Sequence, residues 1–157
     1  MEIERQFLVP KLPALPDSYV QIEQGYIALE PEIRFRAINQ ERFYLTVKRG
    51  AGLAREEFEV EIRADEYANL KKRQLPDTIL IQKRRYRIPL DDGYTAELFV
   101  HEGHLAGFNY VEVEFGSENE ALLFVPPLWF GREVTDDIRF SYGALARKDG
   151  AEIVKSF

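Results

Sequence analysis

Cysteine is absent from this sequence of 157 residues, and only two histidines and one tryptophan are present. Without cysteine the chain can form neither a disulfide framework nor a thiolate metal site. The sequence also has no apolar signal segment and no apolar run long enough to span a bilayer. These absences favour a cytoplasmic protein without a membrane partner.

An excess of positive charge is lacking as well. The formal net charge is -6, so the long-range field disfavours general binding to nucleic acids or to anionic membranes. Hydrophobic residues make up 45% of the chain and charged residues 31%, which is the balance of a folded globular protein. At this length we expect one domain that spans residues 1–157.

Most of the sequence alternates between apolar and polar residues with a period of two, which is typical of β-strands with two unlike faces. In EIRFRA, for example, Ile33 and Phe35 alternate with Arg34 and Arg36. The same alternation recurs in EIERQFLV, FYLTVKRG, EEFEVEIR, ILIQKRRYRI, TAELFVHEG and NYVEVEFG. Several antiparallel strands with few helices predict an α+β domain built around a sheet or a barrel.

Helical signals are few. ADEYANLKKRQLP has acidic residues early, Asp65 as a candidate N-cap and a stop at Pro76. A capping box from Ser117 to Glu120 predicts a second helix in SENEALLFVPP. A short helix is predicted near the end of the chain, around residues 142–147. The segments KLPALPDSY, RGAGLAR and LDDGY predict loops or turns.

The charges on the polar faces are grouped by sign. Glutamates recur in EIER, EEFEVEI and VEVE, whereas arginines and lysines recur in IRFR and QKRR. One interpretation is that these faces meet water while the apolar faces cover a core, as in many antiparallel sheets. The other is that the sheet closes into a barrel, so that one cavity has an acidic and a basic side. Such a cavity suits a polyanion with a divalent metal, because carboxylates hold hard cations and basic side chains neutralise phosphates.

The opening segment EIERQFLV resembles the ExExK strand of the CYTH superfamily, the triphosphate tunnel metalloenzymes. The resemblance continues in the same order through QGYIA, IRFRA, YLTVKRG, REEFEVEI, IQKRRYRI, AELFVHEGHLAGFNYVEVEF and GREVTDDIRFSYGALA, so it spans nearly the whole chain. It implies a closed antiparallel β-barrel, the triphosphate tunnel, with a few flanking helices. It also implies a small-molecule substrate that contains a triphosphate group, and Mg2+ or Mn2+ as the cofactor.

The resemblance assigns residues of this chain to three roles. Metal binding is implied for Glu2, Glu4, Glu112 and Glu114, with Glu59 and Glu61 as additional ligands. Phosphate binding is implied for Arg34, Arg36, Lys48, Arg55, Lys83 and Arg85. Within this set we expect Glu4, Lys48 and Lys83 to be catalytic. Tyr26, in QGYIA, resembles a tyrosine that orients the substrate near one end of the tunnel, although a tyrosine packed at a strand end fits equally well.

Two positions depart from the pattern of the superfamily. Gln6 stands where the ExExK strand has lysine, and glutamine can donate a hydrogen bond to phosphate but carries no charge. Phe99, in AELF, stands where members commonly have an aspartate before the glycine turn, so one metal-site carboxylate is missing. Glu97 lies on the same face of the same strand and is a candidate replacement.

The histidines and the tryptophan have simpler interpretations. His101 and His104, in HEGH, lack the spacing of a helical HExxH zinc motif, and we expect them to be structural or exposed. We expect Trp129 to lie in the core rather than to stack on a nucleobase.

Metal-dependent hydrolysis of a triphosphate, most simply inorganic triphosphate, is the predicted function. A class IV adenylyl cyclase is an alternative, but it needs a nucleobase pocket that the sequence does not reveal. A further alternative is a sensor that binds triphosphate or polyphosphate and has lost turnover through the changes at positions 6 and 99. The sequence does not predict the oligomeric state.

Overall fold

Eight β-strands close into one antiparallel barrel in the computed structural model of the protein, which describes residues 1–155. The strands are β1 (Glu2–Leu8), β2 (Val20–Leu29), β3 (Glu32–Ile38), β4 (Arg42–Arg49), β5 (Ala54–Ile62), β6 (Ile81–Pro89), β7 (Thr95–Glu102) and β8 (Asn109–Glu114). Their order around the barrel is β1-β5-β4-β3-β2-β6-β7-β8. Because β8 also pairs with β1, the sheet is closed and the predicted barrel is confirmed.

Helices flank the barrel and are short. They are α1 (Ala64–Lys71), α2 (Glu118–Leu123), α3 (Tyr142–Leu145) and α4 (Gly150–Lys155), with 3-10 turns at Gly103–Leu105 and Ile138–Phe140. Arg63, not Asp65, is the N-cap of α1, and the Asp65 carboxylate accepts a 3.0 Å hydrogen bond from the Arg63 side chain. The Ser117 hydroxyl caps α2 as predicted. The predicted last helix ends early, at Leu145, and α4 was not predicted. No helix within residues 1–155 is long and apolar enough to cross a membrane.

The apolar outer face of β1, β7 and β8 packs beneath the chain that follows α2. Phe7 and Val111 are buried there against Phe124 and Phe130, and the rings of Phe7 and Phe130 lie 4.9 Å apart. Trp129 packs on the same cluster, edge to face with Phe130 at 4.5 Å, but it is only partly buried and lies at the edge of the core in which it was predicted. The carboxylates of β1 and β8 are thereby left to face the interior of the barrel.

Arg5 fastens this covering segment to β1. Its guanidinium donates to the backbone carbonyls of Ala121 and Phe124 at 2.9 and 2.8 Å, and to the Glu133 carboxylate at 2.7 Å. An arginine in this outward position therefore serves the packing of the barrel and not the charge of its interior.

Helix α1 covers the outer face of β3 and β4. Tyr67 packs on the rings of Phe35 and Phe43, and its hydroxyl donates to Glu23 on β2 at 2.6 Å. Gly25 on β2 leaves room for this packing, because a Cβ atom there would collide with the Phe35 ring. The glycine of the QGYIA segment is therefore a packing requirement.

Strand β5 differs from the others because described residues leave its apolar outer face open. Phe58 is 62% exposed and Val60 is 40% exposed. The flanking helices of the barrel therefore leave β5 uncovered.

One end of the barrel is filled by an aromatic cluster. Tyr26, Phe99 and Tyr110 point into the barrel near this end, and Phe140 and Tyr142 reach them from the chain after β8. Together these rings form the floor of the space that the charged residues line.

Candidate active site

The barrel encloses a cavity of about 550 Å3. The predicted site residues that line it are Glu2, Glu4, Tyr26, Arg34, Arg36, Lys48, Arg55, Glu59, Lys83, Arg85, Glu112 and Glu114. The interpretation that these charged faces meet water on an open sheet is therefore wrong, and the prediction that they converge inside one barrel is confirmed.

Glu61 is the predicted site residue that the structure does not bring into the cavity. Its side chain is 53% exposed and forms an ion pair with Arg42 at 3.1 Å, near the end of β5. Glu61 has the inward parity of Glu59, but it lies beyond the enclosed part of the barrel. The structure thus corrects its assignment as an additional metal ligand.

Strand order divides the cavity by sign. The strands β7, β8, β1 and β5 are neighbours around the barrel and supply most of the carboxylates. These are Glu97, Glu112, Glu114, Glu2, Glu4, Glu57 and Glu59. The remaining strands supply most of the cations, namely Lys48, Arg34, Arg36, Lys83, Arg85 and Arg87. An acidic half therefore faces a basic half, as the sign grouping in the sequence suggested.

Ion pairs join the two halves along their seam. Lys48 Nζ lies 3.0 Å from Glu2 Oε1 and 3.8 Å from Glu57 Oε2. Arg55, the cation contributed by β5, lies 3.1 Å from Glu32 of β3. These pairs are partly buried, so each charge has lost much of its water and is held by its partner.

Four guanidinium groups that line the cavity have a buried Nε–H that donates to no described residue. They belong to Arg34, Arg36 and Arg85 of the basic half and to Arg55 of β5. Burial and the neighbouring charge of Arg34 lower the pKa of Arg36 to about 10. Buried donors without acceptors are costly, so these guanidinium groups are suited to bind the oxygens of an anion.

No protein-family model matches the chain. An inorganic triphosphatase of Nitrosomonas europaea is 40% identical over 148 residues, which cover 92% of this chain and 96% of that protein. An inorganic triphosphatase of Acetivibrio thermocellus is 36% identical over 148 residues, which cover 88% of each protein. A crystal structure of an inorganic triphosphatase superposes with a TM-score of 0.68 at 37% identity, covering 93% of this chain and 94% of that chain. The chain belongs to the CYTH superfamily.

More distant CYTH-like structures share the barrel. A candidate adenylyl cyclase from Hippeastrum, described as having a dominant triphosphatase activity, superposes with a TM-score of 0.58 over 78% of this chain and 83% of that chain. At 14% identity this likeness concerns the fold alone.

The acidic half of this CYTH barrel holds more negative charge than its cations offset. Burial, reinforced by the charges of Glu112 and Glu2, raises the pKa of Glu4 well above its usual range. Burial also raises the pKa of Glu112 and, together with the charge of Glu2, that of Glu114. Carboxylate oxygens are preferred ligands of hard divalent cations, which would relieve this repulsion.

Glu57 and Glu2 form a carboxyl pair at the edge of the acidic half. Burial and the hydrogen bond with Glu2 raise the pKa of Glu57 to about 7. Burial opposes ionisation of Glu2 as well, but the Glu57 hydrogen bond and the Lys48 charge hold the pKa of Glu2 below its usual value. The proton of the pair therefore resides on Glu57.

The donor set does not form a closed metal cage. Within residues 1–155, no three His, Cys, Asp or Glu side chains are drawn together closely enough to hold a metal ion by themselves. Mg2+ commonly keeps several water ligands and binds through one or two carboxylates plus phosphate oxygens. The dispersed glutamates of this cavity fit that mode of binding.

The two departures from the CYTH pattern have different surroundings. Gln6 lines the cavity, and its amide donates to Glu4 Oε1 at 2.8 Å. Phe99 also lines the cavity but offers only a ring, which lies 4.1 Å from Lys83 Nζ. Glu97 faces the same cavity, where it pairs with Arg85 at 3.5 Å and Arg87 at 3.6 Å. Glu97 thus supplies a carboxylate, although basic side chains already engage it.

Sequence reasoning missed several cavity residues. Glu57 and Arg87 follow the inward alternation of their strands, and that signal was sufficient to find them. Tyr142 arrives from α3, at a position with no periodic signal. His101 was predicted to be structural or exposed, and it is buried beneath Tyr142 with hydrogen bonds to its neighbours. His104 bonds the Leu145 carbonyl at 3.0 Å, which agrees with its predicted structural role.

Proposed function

We propose that this chain hydrolyses inorganic triphosphate inside the charged barrel, with a divalent metal as cofactor. The observation that carries the proposal is the buried Nε–H groups of Arg34, Arg36, Arg55 and Arg85, which donate to no described residue in a cavity that is also lined by carboxylates. The two inorganic triphosphatases that align over nearly their whole length support the same substrate.

The basic half binds the phosphates. Arginine forks match phosphate oxygens in pairs, so Arg34 and Arg36 of this half, together with Arg55 across the seam on β5, hold the substrate while Arg85 extends the basic surface along β6. Tyr26 is fully buried, and its raised pKa, caused by burial and the nearby Glu32 charge, keeps the phenol neutral. A neutral phenol can donate a hydrogen bond to a phosphate without adding charge.

Catalysis in this cavity depends mainly on charged side chains that are already in position when the reaction begins. Phosphoryl transfer develops charge on the oxygens of the transferred and leaving groups, and fixed cations stabilise that charge. Lys48 and Lys83 both line the cavity and supply these charges; burial lowers the pKa of Lys83 well below its usual range, and a bound triphosphate favours its protonated form. Lys48 is held by Glu2, whereas Lys83 projects from the basic half without an ion pair to a described residue.

A divalent cation, Mg2+ or Mn2+, would be held by Glu2, Glu4, Glu112 and Glu114, with Glu59 at the border of the basic half. When bound, it polarises the phosphates and lowers the pKa of a coordinated water. Glu4 has the largest role, because it is nearly fully buried among the other carboxylates and takes a hydrogen bond from Gln6.

A sensor that binds triphosphate without turning it over is the second candidate. It is favoured by one observation: the cavity offers a phenylalanine ring at position 99, where CYTH members commonly have a carboxylate. Binding needs only the basic half, whereas turnover also needs metal held in the acidic half.

Phosphate release from tripolyphosphate, ATP and thiamine triphosphate, with and without metal, tests the proposal when binding of each ligand is measured in parallel. We expect metal-dependent release that is fastest with tripolyphosphate and is abolished by a chelator. Binding without release identifies the sensor, and neither binding nor release overturns both candidates.

Matched arginine variants link the result to the cavity. Arg34→Gln removes a buried guanidinium from the cavity, whereas Arg42→Gln removes an exposed one whose partner is Glu61 outside it. We expect release to fall about a hundredfold in Arg34→Gln and less than about twofold in Arg42→Gln. Equal effects of the two substitutions would contradict phosphate binding in the cavity.

A further inference from the structure

Lys83 has unusual surroundings for a cation in a charged cavity. It is 1% exposed, and its Nζ atom makes no hydrogen bond or ion pair with any of residues 1–155. Its Nζ atom instead lies 3.6 Å from the centroid of the Tyr142 ring and 4.1 Å from that of the Phe99 ring. The two rings are 6.1 Å apart and nearly perpendicular, so the ammonium group sits in the corner between them.

The Tyr142 ring is fixed in turn by His101. His101 Nδ1 lies 3.0 Å from the Phe108 carbonyl oxygen, which can only accept, so Nδ1 carries the proton. Its Nε2 atom therefore accepts a hydrogen bond from the Tyr142 hydroxyl, also at 3.0 Å. A chain of contacts thus runs from the backbone of the aromatic floor through His101 and Tyr142 to the Lys83 ammonium group.

Aromatic neighbours act on a lysine differently from a carboxylate. A ring face attracts an ammonium group strongly when water is excluded, yet the ring is neutral and leaves the positive charge available to a third group. Lys48, by contrast, is already paired with Glu2. Burial lowers the pKa of Lys83 well below its usual range, and the charge of Glu112 opposes that shift. Without the rings, the flexible side chain of Lys83 would be free to turn toward Glu112.

We infer that Phe99, Tyr142 and His101 are positioning residues that hold the Lys83 ammonium group toward the triphosphate while leaving its charge unneutralised. We call the three residues the Lys83 clamp. Phe99 then has a positioning role in the site, in addition to standing where CYTH members commonly have a carboxylate. The effect of the clamp on turnover rests on the proposed function, but its effect on Lys83 itself does not.

Ring-current shifts in NMR spectra test the clamp without substrate or turnover. The rings should shift the ε-methylene protons of Lys83 upfield from those of exposed lysines, and Lys83→Met identifies the signal by removing it. We expect Phe99→Leu and Tyr142→Leu each to move this signal back toward the position of exposed lysines, whereas Tyr142→Phe keeps most of the shift. Tyr19→Leu is the control, because Tyr19 packs on Tyr86 and Arg84 away from Lys83.

A signal that is not shifted upfield, or that stays in place in both leucine variants, would overturn the clamp. Because this readout requires only the folded protein, it decides the inference even if the chain releases no phosphate. The proposed function and the clamp can therefore fail separately.

Kinetics then test whether the clamp matters for turnover. Tyr142→Phe keeps the ring and removes the hydroxyl, while His101→Phe removes the acceptor and keeps an aromatic group beside Phe108. We expect each substitution to lower kcat about fivefold, with a smaller change in KM, and the double variant to be no worse than either single variant. Thermal unfolding of each variant measures any purely structural effect.

Unchanged kcat in Tyr142→Phe and His101→Phe, in a protein where Lys83→Met abolishes phosphate release, would show that turnover does not depend on the hydrogen bond. Additive losses in the double variant would equally contradict a role through this one contact. Loss of thermal stability with unchanged kcat would assign both residues to the fold alone.

Discussion

Glu4 and Gln6 share the inward face of β1, where the Gln6 amide donates to Glu4 Oε1 at 2.8 Å. The amide orients the carboxylate but cannot offset its charge, because glutamine is neutral. The acidic half therefore begins with a carboxylate whose pKa is raised by burial and by the charges of Glu112 and Glu2. We expect substitutions at these two positions to change the balance between metal and phosphate binding.

Gln6→Lys adds a cation to the cavity wall and is expected to tighten tripolyphosphate binding about tenfold at low salt. The gain should shrink as salt rises, since screening weakens the added attraction. Isothermal titration at two salt concentrations measures both effects. Gln40→Lys adds the same charge at an exposed turn and is the matched control; an equal gain in the two variants would contradict a specific role for position 6.

Glu4→Gln keeps the size of the side chain and removes an anionic oxygen from the cavity. We expect metal-supported phosphate release to fall about a hundredfold, because a hard cation loses a ligand. The melting temperature should stay the same or rise, since a buried charge that its neighbours repel has been removed. Glu61→Gln, outside the cavity, should retain release; near-normal release in Glu4→Gln would exclude Glu4 from the metal site.

At the scale of elements, β5 carries both a part of the cavity and an open outer face. Its inward residues Glu57 and Glu59 line the cavity, while Phe58 and Val60 on its other face are exposed. The paired carboxyls of Glu57 and Glu2 link β5 to β1, and these two strands pair with each other over only a few residues. Their protonation therefore affects the stability of the barrel closure.

Glu57 makes stability depend on pH. Its pKa rises from 4.5 to about 7 on folding, so the folded state binds the proton more tightly. The resulting stability is complete below pH 4.5 and is lost as the pH rises through about 7. The Glu57→Gln amide can donate to Glu2 as the protonated carboxyl does, and this variant should exceed the wild type by about 1 kcal/mol in the free energy of unfolding at pH 8.

Urea unfolding of Glu57→Gln at pH 5 and pH 8 measures this effect, which we expect to be nearly absent at the lower pH. The control is Glu56→Gln, because Glu56 lies on the same strand and pairs with Arg49 outside the cavity. A difference between wild type and Glu57→Gln that is the same at both pH values would contradict the assignment of the proton to Glu57.

Local sequence signals predicted most elements but not the contacts that hold the cavity floor together. The period of two located the strands, the order of charges located α1, and a capping box located α2, because these signals lie within a few consecutive residues. Helix α4 and the contact between His101 and Tyr142 depend on tertiary packing. No pattern in the sequence around HEGH indicates that a tyrosine 41 positions away forms a hydrogen bond with His101.

At the scale of the whole molecule, closure of the sheet decides what the charged faces do. The same alternation fits an open sheet with a wet face and a barrel with a charged interior, so periodicity alone could not separate them. The ordered resemblance to the CYTH superfamily favoured the barrel, and the pairing of β8 with β1 confirms it. Closure also explains the error at Glu61, because inward parity does not reveal where the enclosed part of a barrel ends.

We propose that the two halves of the cavity bind different parts of one complex, with metal on the carboxylates and triphosphate on the arginines. A crystal structure with tripolyphosphate and Mn2+, in which anomalous scattering locates the metal, tests it most directly. We predict Mn2+ beside Glu2, Glu4, Glu112 or Glu114 and phosphate oxygens within hydrogen-bond distance of Arg34, Arg36 and Arg55. Metal and phosphate bound on the outer surface, with the cavity holding neither, would contradict the account.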